Sequence, residues 1–178
     1  VCMDANLSDR TYNTLRSLRP EYPAFFHWNR FARAADDKYF FTSNQAAWLE
    51  KLHSSVRAGL RVVIPTNSLS EGKAYTAGLA AEFPGKKIMF YSSETAQVEK
   101  ARHFAEVHKY WADLDILIYT PTCSAGVSFE LEHFDILFGS FNDKSCDVET
   151  CRQMLGRIRN LRTKEHYIHI SSMGAALP

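Results

Sequence analysis

Four short runs that are apolar at nearly every position, each followed by a helix-length or loop stretch, constrain this chain more than any other feature. They are Arg61-Val-Val-Ile-Pro65, Lys87-Ile-Met-Phe-Tyr91, Asp115-Ile-Leu-Ile-Tyr119 and Asp135-Ile-Leu-Phe138. A strand with one wet face alternates apolar and polar residues, whereas a continuous apolar run marks a strand covered on both faces. The alternation of such strands with helices predicts an α/β domain with a parallel sheet sandwiched between helical layers and joined by right-handed crossovers.

Helical spacing and caps place the intervening elements. Trp48, Leu49, Leu52 and Val56 recur at helical intervals after a capping box read from Thr42 and Gln45, and the helix stops at Gly59. Ser68 and Glu71 form a second such pattern, opening a helix to about Phe83. Residues from Glu94 to about Trp111 read as mostly helical, and Tyr167-Ile-His-Ile170 as a last strand. Near the beginning, Val1 to Ala5 reads as a strand, Ser8 to Arg19 as a helix ended by Pro20, and Lys38 to Phe41 as another short strand. The expected organisation is a lead-in over residues 1–41 and the main α/β domain over 42–178, together one compact body.

The bulk numbers exclude several classes. At 46% hydrophobic and 23% charged the chain has the composition of a globular protein, and its net charge of +1 gives no overall basic field. Nucleic-acid binding would have to rest on local patches or backbone donors. No apolar run is long enough to cross a bilayer, so no membrane partner is expected. The chain opens on Val1 and reads as a piece of a longer protein. Cys2, Cys123, Cys146 and Cys151 fit no zinc spacing. They read as reduced thiols of an intracellular protein, although Cys146 and Cys151 with a nearby His would be the elements of a metal site. No metal-binding residues are assigned.

In parallel sheets of this kind ligands bind beyond the carboxyl ends of the strands, and small hydroxylated residues collect there. Thr66, Asn67 and Ser68 follow one strand, Ser92 and Ser93 the next, and Thr120-Pro-Thr-Cys-Ser-Ala-Gly126-Val-Ser128 a third. Hydroxyls, amides and helix N-terminal N–H groups at these places suit phosphate oxygens, as on a nucleic-acid backbone; helix capping by Ser68, Ser92 or Ser93 is the competing reading. In the third loop Thr120 and Thr122 suit a nucleic-acid backbone, and Gly126 and Ser128 a nucleotide site, with Gly126 allowing a tight turn or a close approach.

Asp147 is a plausible cap for a helix whose apolar face is Val148, Cys151, Leu155 and Ile158. Gln153 and Arg157, four apart, would then share an exposed face. An amide and a guanidinium so placed can grip phosphate oxygens, the guanidinium in bidentate fashion. The alternative is a solvated basic helix end, with Arg159, Arg162 and Lys164 near the negative terminus. Gly72-Lys73 lacks the flanking residues of a phosphate-binding loop, and no other stretch supplies one. The aromatic residues at Tyr22, Phe25, Phe26, Trp28 and Phe31, with Arg30 and Arg33, suit either base stacking or a satellite core. Asp4 sits at a strand end, where a cap or turn role competes with a chemical one.

Taken together, Val62-Val-Ile-Pro-Thr-Asn-Ser68, Ile118-Tyr-Thr-Pro-Thr-Cys-Ser-Ala-Gly-Val-Ser-Phe-Glu130, His133-Phe-Asp135 and Gln153-Met-Leu-Gly-Arg-Ile-Arg-Asn160 resemble the C-terminal motor domain of superfamily 2 helicases. Within that superfamily the chain is similar to the herpesvirus-type replication-origin-binding helicases and their relatives in large DNA viruses. The resemblance covers nearly the whole chain, is most specific over residues 115–160, and extends to Met3-Asp-Ala-Asn-Leu7. It implies a RecA-like three-layer sandwich, the second of two such domains, with ATP in the cleft between them. The N-terminal RecA-like domain of the same polypeptide would bring the phosphate loop and the carboxylates that hold Mg²⁺, so this piece alone would be inactive. By matched position Gln153 and Arg157 face the γ-phosphate, Gly126 and Ser128 line the cleft, and Thr66, Asn67, Ser92 and Thr120 track one nucleic-acid strand. Many members carry a second arginine three positions after the first, where this chain has Asn160; Arg159 stands nearest. Arg157 is then the phosphate contact and Arg159 a second contact or an interdomain pair.

The implied partners are single-stranded or unwinding duplex DNA, the companion domain, and primase or other replication proteins, at a nuclear or cytoplasmic replication site of an infected cell. Two other classes compete: a non-catalytic RecA-like module that docks nucleic acid or a partner, and a small-molecule enzyme on a doubly wound sheet. The chain lacks Gly-x-Gly-x-x-Gly and any nucleophile, base and acid set that the last would need.

Overall fold

A computed structural model of the protein describes residues 8–23, 35–123 and 126–171. The chain divides into two compact units, Val1–Ala35 and Asp36–Pro178. In the first unit α1 (Asp9–Leu18) is capped by Ser8, whose side chain accepts the Thr11 N–H. The sequence readings at Val1–Ala5, Asp4, Phe25–Phe31 and Arg33 lie outside the described residues.

The second unit runs β1 (Lys38–Thr42), α2 (Gln45–Arg57), β2 (Val62–Pro65), α3 (Leu69–Glu82), β3 (Ile88–Tyr91), α4 (Gln97–Ala105), α5 (Val107–Trp111), β4 (Ile116–Tyr119), β5 (Ile136–Asn142), α6 (Val148–Leu155) and β6 (Glu165–Ser171). Its six strands form one sheet in the order β1-β6-β5-β2-β4-β3, every pair parallel. The expected α/β architecture with a parallel sheet is the one observed. β1, read from sequence as part of the lead-in, is an edge strand of this sheet.

The continuous apolar runs are explained by the two cores. Val62, Ile64, Ile116, Ile118, Ile136 and Phe138 pack with Trp48, Leu52 and Val56 of α2 and with Tyr75 and Leu79 of α3. The intervening Val63, Leu117, Tyr119, Leu137 and Phe141 pack with Val107 and Trp111 of α5 and Met154 of α6. Neighbouring residues of one strand thus feed opposite cores, which makes three layers. No helix among the described residues is long and apolar enough to cross a membrane.

Three local readings need correction. Asn44, not Thr42, caps α2: its side chain accepts the Ala47 N–H, because Thr42 is still paired with His169 as the last residue of β1. β5 continues past Phe138 to Asn142, through a Gly139 that fits closely beneath Phe141, Leu155 and Ile168. α6 stops at Leu155, with Gly156 as C-cap, and its Val148 is 77% exposed while Met154 is buried. The buried face of α6 is therefore centred on Met154 and not on Val148.

Packing decides the sign of two substitutions on α3. Alanine normally favours a helix over glycine by up to about 1 kcal/mol. A Cβ on Gly78 meets nothing within 4 Å, whereas one on Gly72 falls 2.6 Å from the Phe90 ring. Gly78→Ala should stabilise the fold by roughly 0.5–1 kcal/mol and Gly72→Ala should destabilise it by about 1–3 kcal/mol. Denaturant unfolding of the two variants checks this; equal shifts would contradict the packing of α3 on β3.

Candidate functional site

The carboxyl ends of β2, β4 and β3 are stitched in register. Pro65 pairs with Tyr119 and Tyr119 with Tyr91. One step on, the Thr66 N–H donates to Tyr119 O and the Thr120 N–H to Tyr91 O, both at 3.0 Å. The strand-end loops singled out from sequence therefore do begin along one edge. What their side chains do there differs from residue to residue.

Asn67 is buried, and its amide is spent inside the unit. Its Nδ2 donates to Asn142 O at 2.7 Å and its Oδ1 accepts the Asn142 N–H at 3.0 Å, a two-point clamp on the end of β5. Thr66 is buried and its Oγ1 accepts the Ser68 N–H. Thr120 is buried, shares a 2.6 Å hydroxyl contact with Thr122, and lies 3.4 Å from Tyr91 O. Ser92 is buried and accepts the Glu94 N–H; it does not cap α4, whose N-cap is Ala96. Ser68 is the N-cap of α3, accepting the Glu71 N–H. Its expected reciprocal partner, Glu71, instead accepts from the Ser140 hydroxyl at 2.8 Å. Ser93 is exposed, and Ser68 and Thr122 are half-buried.

The second half of the site is a pairing that sequence reading missed. Residues after α6 run alongside the segment after the Gly126 turn. The Phe129 N–H donates to Arg157 O at 2.9 Å, and the Arg159 N–H donates to Phe129 O at 2.8 Å, forming a parallel bridge between Phe129 and Ile158. Phe129 is fully buried against Trp111 and Phe134, which anchors the bridge in the core. Side chains follow the same pairing: Arg159 Nε donates to Ser128 Oγ at 2.9 Å and Asn160 Nδ2 donates to Glu130 O. Gly126 adopts φ +95°, in the left-handed region that favours glycine, and a Cβ there would meet nothing within 4 Å.

Arg157 lies beyond α6, so it shares no helical face with Gln153, which is exposed on the helix. The shared-face reading fails because Gly156 ends the helix and Ile158 is drawn into the bridge. Arg157 is half-buried: Nη1 donates to Val127 O at 3.3 Å, while Nε is buried without a hydrogen-bond partner. A buried N–H left unpaired costs about 1–3 kcal/mol. The guanidinium sits beside the end of β4. Burial pushes the Cys123 thiol up to about 12 and holds the Tyr119 phenol well above its usual range, and the Arg157 charge opposes both shifts. Tyr119 in turn donates its hydroxyl to Met154 O at 2.8 Å, tying β4 to α6.

The motifs around residues 120–130 and 153–160 are thus one structural unit, with Arg157 and Arg159 each fixed to the Gly126–Glu130 segment. A signal for the pairing was present in the chain: Val127-Ser-Phe-Glu130 and Arg157-Ile-Arg-Asn160 both alternate, the inward Phe129 and Ile158 being buried. Among the described residues no group of three or more His, Cys, Asp or Glu could hold a metal ion.

A family model described as origin of replication binding protein matches residues 3–177. A relative from African swine fever virus (isolate Pig/Kenya/KEN-50/1950), named "Putative helicase/primase complex protein", is 51% identical over 168 residues, covering 94% of this chain and 16% of the relative. The replication origin-binding protein of human herpesvirus 7 (strain JI) is 22% identical over 179 residues, covering 96% of this chain and 22% of that protein. The chain thus spans a minor part of the length of these relatives.

Asn67 and Ser93 separate a structural from a surface role. Asn67→Ala leaves the Asn142 N–H and carbonyl without their partner and should cost roughly 2 kcal/mol. Ser93→Ala should stay within about 0.5 kcal/mol of the parent. Equal unfolding midpoints for the two variants would contradict the clamp.

Proposed function

This chain belongs to the family of origin of replication binding proteins, and from that premise we propose that it is one half of an ATP-driven motor that separates nucleic-acid strands during replication of viral DNA. The unit is read as a RecA-like domain that supplies the arginines of a composite nucleotide site. The names of its relatives support a setting among helicase and primase components.

One observation carries the reading: Arg157 is held beside the strand edge by a single carbonyl, with its Nε buried and unpaired. A phosphate oxygen supplies the acceptor that this nitrogen lacks, and a guanidinium binds such oxygens in bidentate fashion. Arg159, fixed through Ser128, is the second cation of the same segment. Gln153, exposed on α6, faces the γ-phosphate by matched position, and Gly126 and Ser128 line the cleft. When bound, ATP with Mg²⁺ supplies the phosphoryl group whose transfer drives the motor. The residues of this unit orient and neutralise charge around it, while the phosphate loop and the Mg²⁺-holding carboxylates belong to a companion domain. In such chemistry the protein's work is almost entirely positioning and charge stabilisation, and one well-placed arginine is worth about 10³–10⁵ in rate.

The strand-end loops fit a sequence-independent grip on a nucleic-acid backbone. Thr66, Asn67, Ser92 and Thr120 shape those loops from within, their polar side chains being satisfied internally. Direct contact then falls to Ser68, Ser93 and Thr122 and to backbone N–H groups at the same turns. DNA, the companion domain and other replication proteins are the partners of this reading.

In the full-length protein Arg157→Ala should lower ATP turnover by about 10³-fold while changing nucleotide affinity by less than about tenfold. Steady-state turnover and equilibrium nucleotide binding measure the two quantities. Unchanged turnover would remove Arg157 from the site, and equal loss of binding and turnover would make it a ground-state contact.

A further inference from the structure

The first turn of α6 carries a thiol pair that the nucleotide site does not use. Asp147 is the N-cap, so Cys146 is the residue before the cap and Cys151 the fourth residue of the helix. Apolar side chains at these two positions commonly pack together and fix the direction in which the chain enters a helix. Here both are cysteines, free and half-buried, with sulfurs 3.5 Å apart. The backbone around them is held: Asp147 Oδ1 accepts the Thr150 N–H at 2.7 Å and Asp147 O accepts the Cys151 N–H at 3.2 Å.

From this geometry we infer that Cys146 and Cys151 are an oxidisable pair whose disulfide covalently staples the first turn of α6. A disulfide bond is about 2.05 Å long, so the sulfurs must close by about 1.5 Å. Among the described residues nothing completes a metal site around them. Cys123, by contrast, is buried.

The oxidant is a low-molecular-weight disulfide of the glutathione class. Cys146 Sγ loses its proton and attacks one sulfur of the oxidant; that S–S bond breaks, and the departing thiolate takes up a proton. Cys151 Sγ then gives up its proton and attacks Cys146 Sγ in the mixed disulfide, expelling the second thiolate, which is protonated in turn. Two protein thiols become one disulfide, and one oxidant disulfide becomes two thiols. The order follows from the surroundings. Burial, then the adjacent Cys146 thiol and the Asp147 carboxylate, push the Cys151 thiol up to about 12, which suits it to the second step. Capture of Cys146 by the oxidant removes its share of that shift.

The same short helix ends at Gly156, next to Arg157, and its Met154 carbonyl receives the Tyr119 hydroxyl. The thiol pair oxidises independently of the nucleotide site, whose Arg157 and Arg159 donate to Val127 O and Ser128 Oγ.

Tryptic cleavage after Lys144 and Arg152 places both cysteines on one peptide, Ser145–Arg152. The full-length protein is incubated folded with glutathione disulfide, then denatured, alkylated, digested and weighed. The expected product is a peptide lighter than the dithiol by two hydrogens, resistant to alkylation and restored by dithiothreitol. In Cys151→Ser the same peptide should instead retain one glutathione, on Cys146. The linked form should appear about tenfold faster in the folded protein than in a synthetic Ser145–Arg152 peptide, because the fold holds the sulfurs together. A peptide alkylated at both cysteines, one carrying two glutathiones, or equal rates in protein and peptide would overturn the inference.

Discussion

The bridge in which Phe129 donates to Arg157 O and accepts from Arg159 N–H ties together the segments that carry Ser128, Arg157 and Arg159. It joins two crossover segments that are far apart in sequence, one after β4 and the other after α6. Phe129 is fully buried and Ile158 nearly so, so the pairing is fixed by the core beneath it and not by its two hydrogen bonds alone. Side chains add to the pairing: Arg159 Nε donates to Ser128 Oγ, Asn160 Nδ2 to Glu130 O and Arg157 Nη1 to Val127 O.

The strand-end edge is built on a different economy. There the polar side chains that look most like ligand contacts in the sequence hold the loops in shape. Asn67 clamps the end of β5, Thr120 is closed on Thr122, and Ser68 caps α3 while Glu71 turns to Ser140 and Tyr75. Buried polar groups must be paired, and these residues pair with one another and with neighbouring backbone. Arg157 Nε departs from that rule, as do His166 Nδ1 and His169 Nδ1; of the three, only Arg157 carries a permanent charge. An unpaired buried donor on a charged group is a place where a bound anion would lower the energy of the protein itself.

Much of the fold was legible in the sequence. The runs at Val62–Pro65, Ile88–Tyr91 and Ile116–Tyr119 could be placed because a strand buried on both faces has no other pattern. β5 was read short because Gly139 and Ser140 resemble a turn when nothing shows that Leu155 and Ile168 pack over the glycine. Thr42 was misread as a cap because its pairing with His169 is a contact between residues far apart in the chain. The same blindness hid the pairing of Phe129 with Ile158. Helical periodicity carries α6 through Arg157, whereas Gly156 caps the helix and the bridge to Phe129 takes up Ile158 beyond it. Local spacing thus put Gln153 and Arg157 on one helix, whereas the helix stops at Leu155 and Arg157 belongs to the bridge segment.

The composite-site account rests on a phosphate oxygen becoming the acceptor that Arg157 Nε lacks. The most direct measurement is a structure of the full-length protein with ADP, Mg²⁺ and a fluoride mimic of the transferring phosphoryl group. The account predicts Arg157 nitrogens at about 3 Å from the mimic, with the Phe129 bridge intact. A nucleotide and mimic bound with no Arg157 nitrogen in reach of the mimic and Nε still unpaired would contradict it.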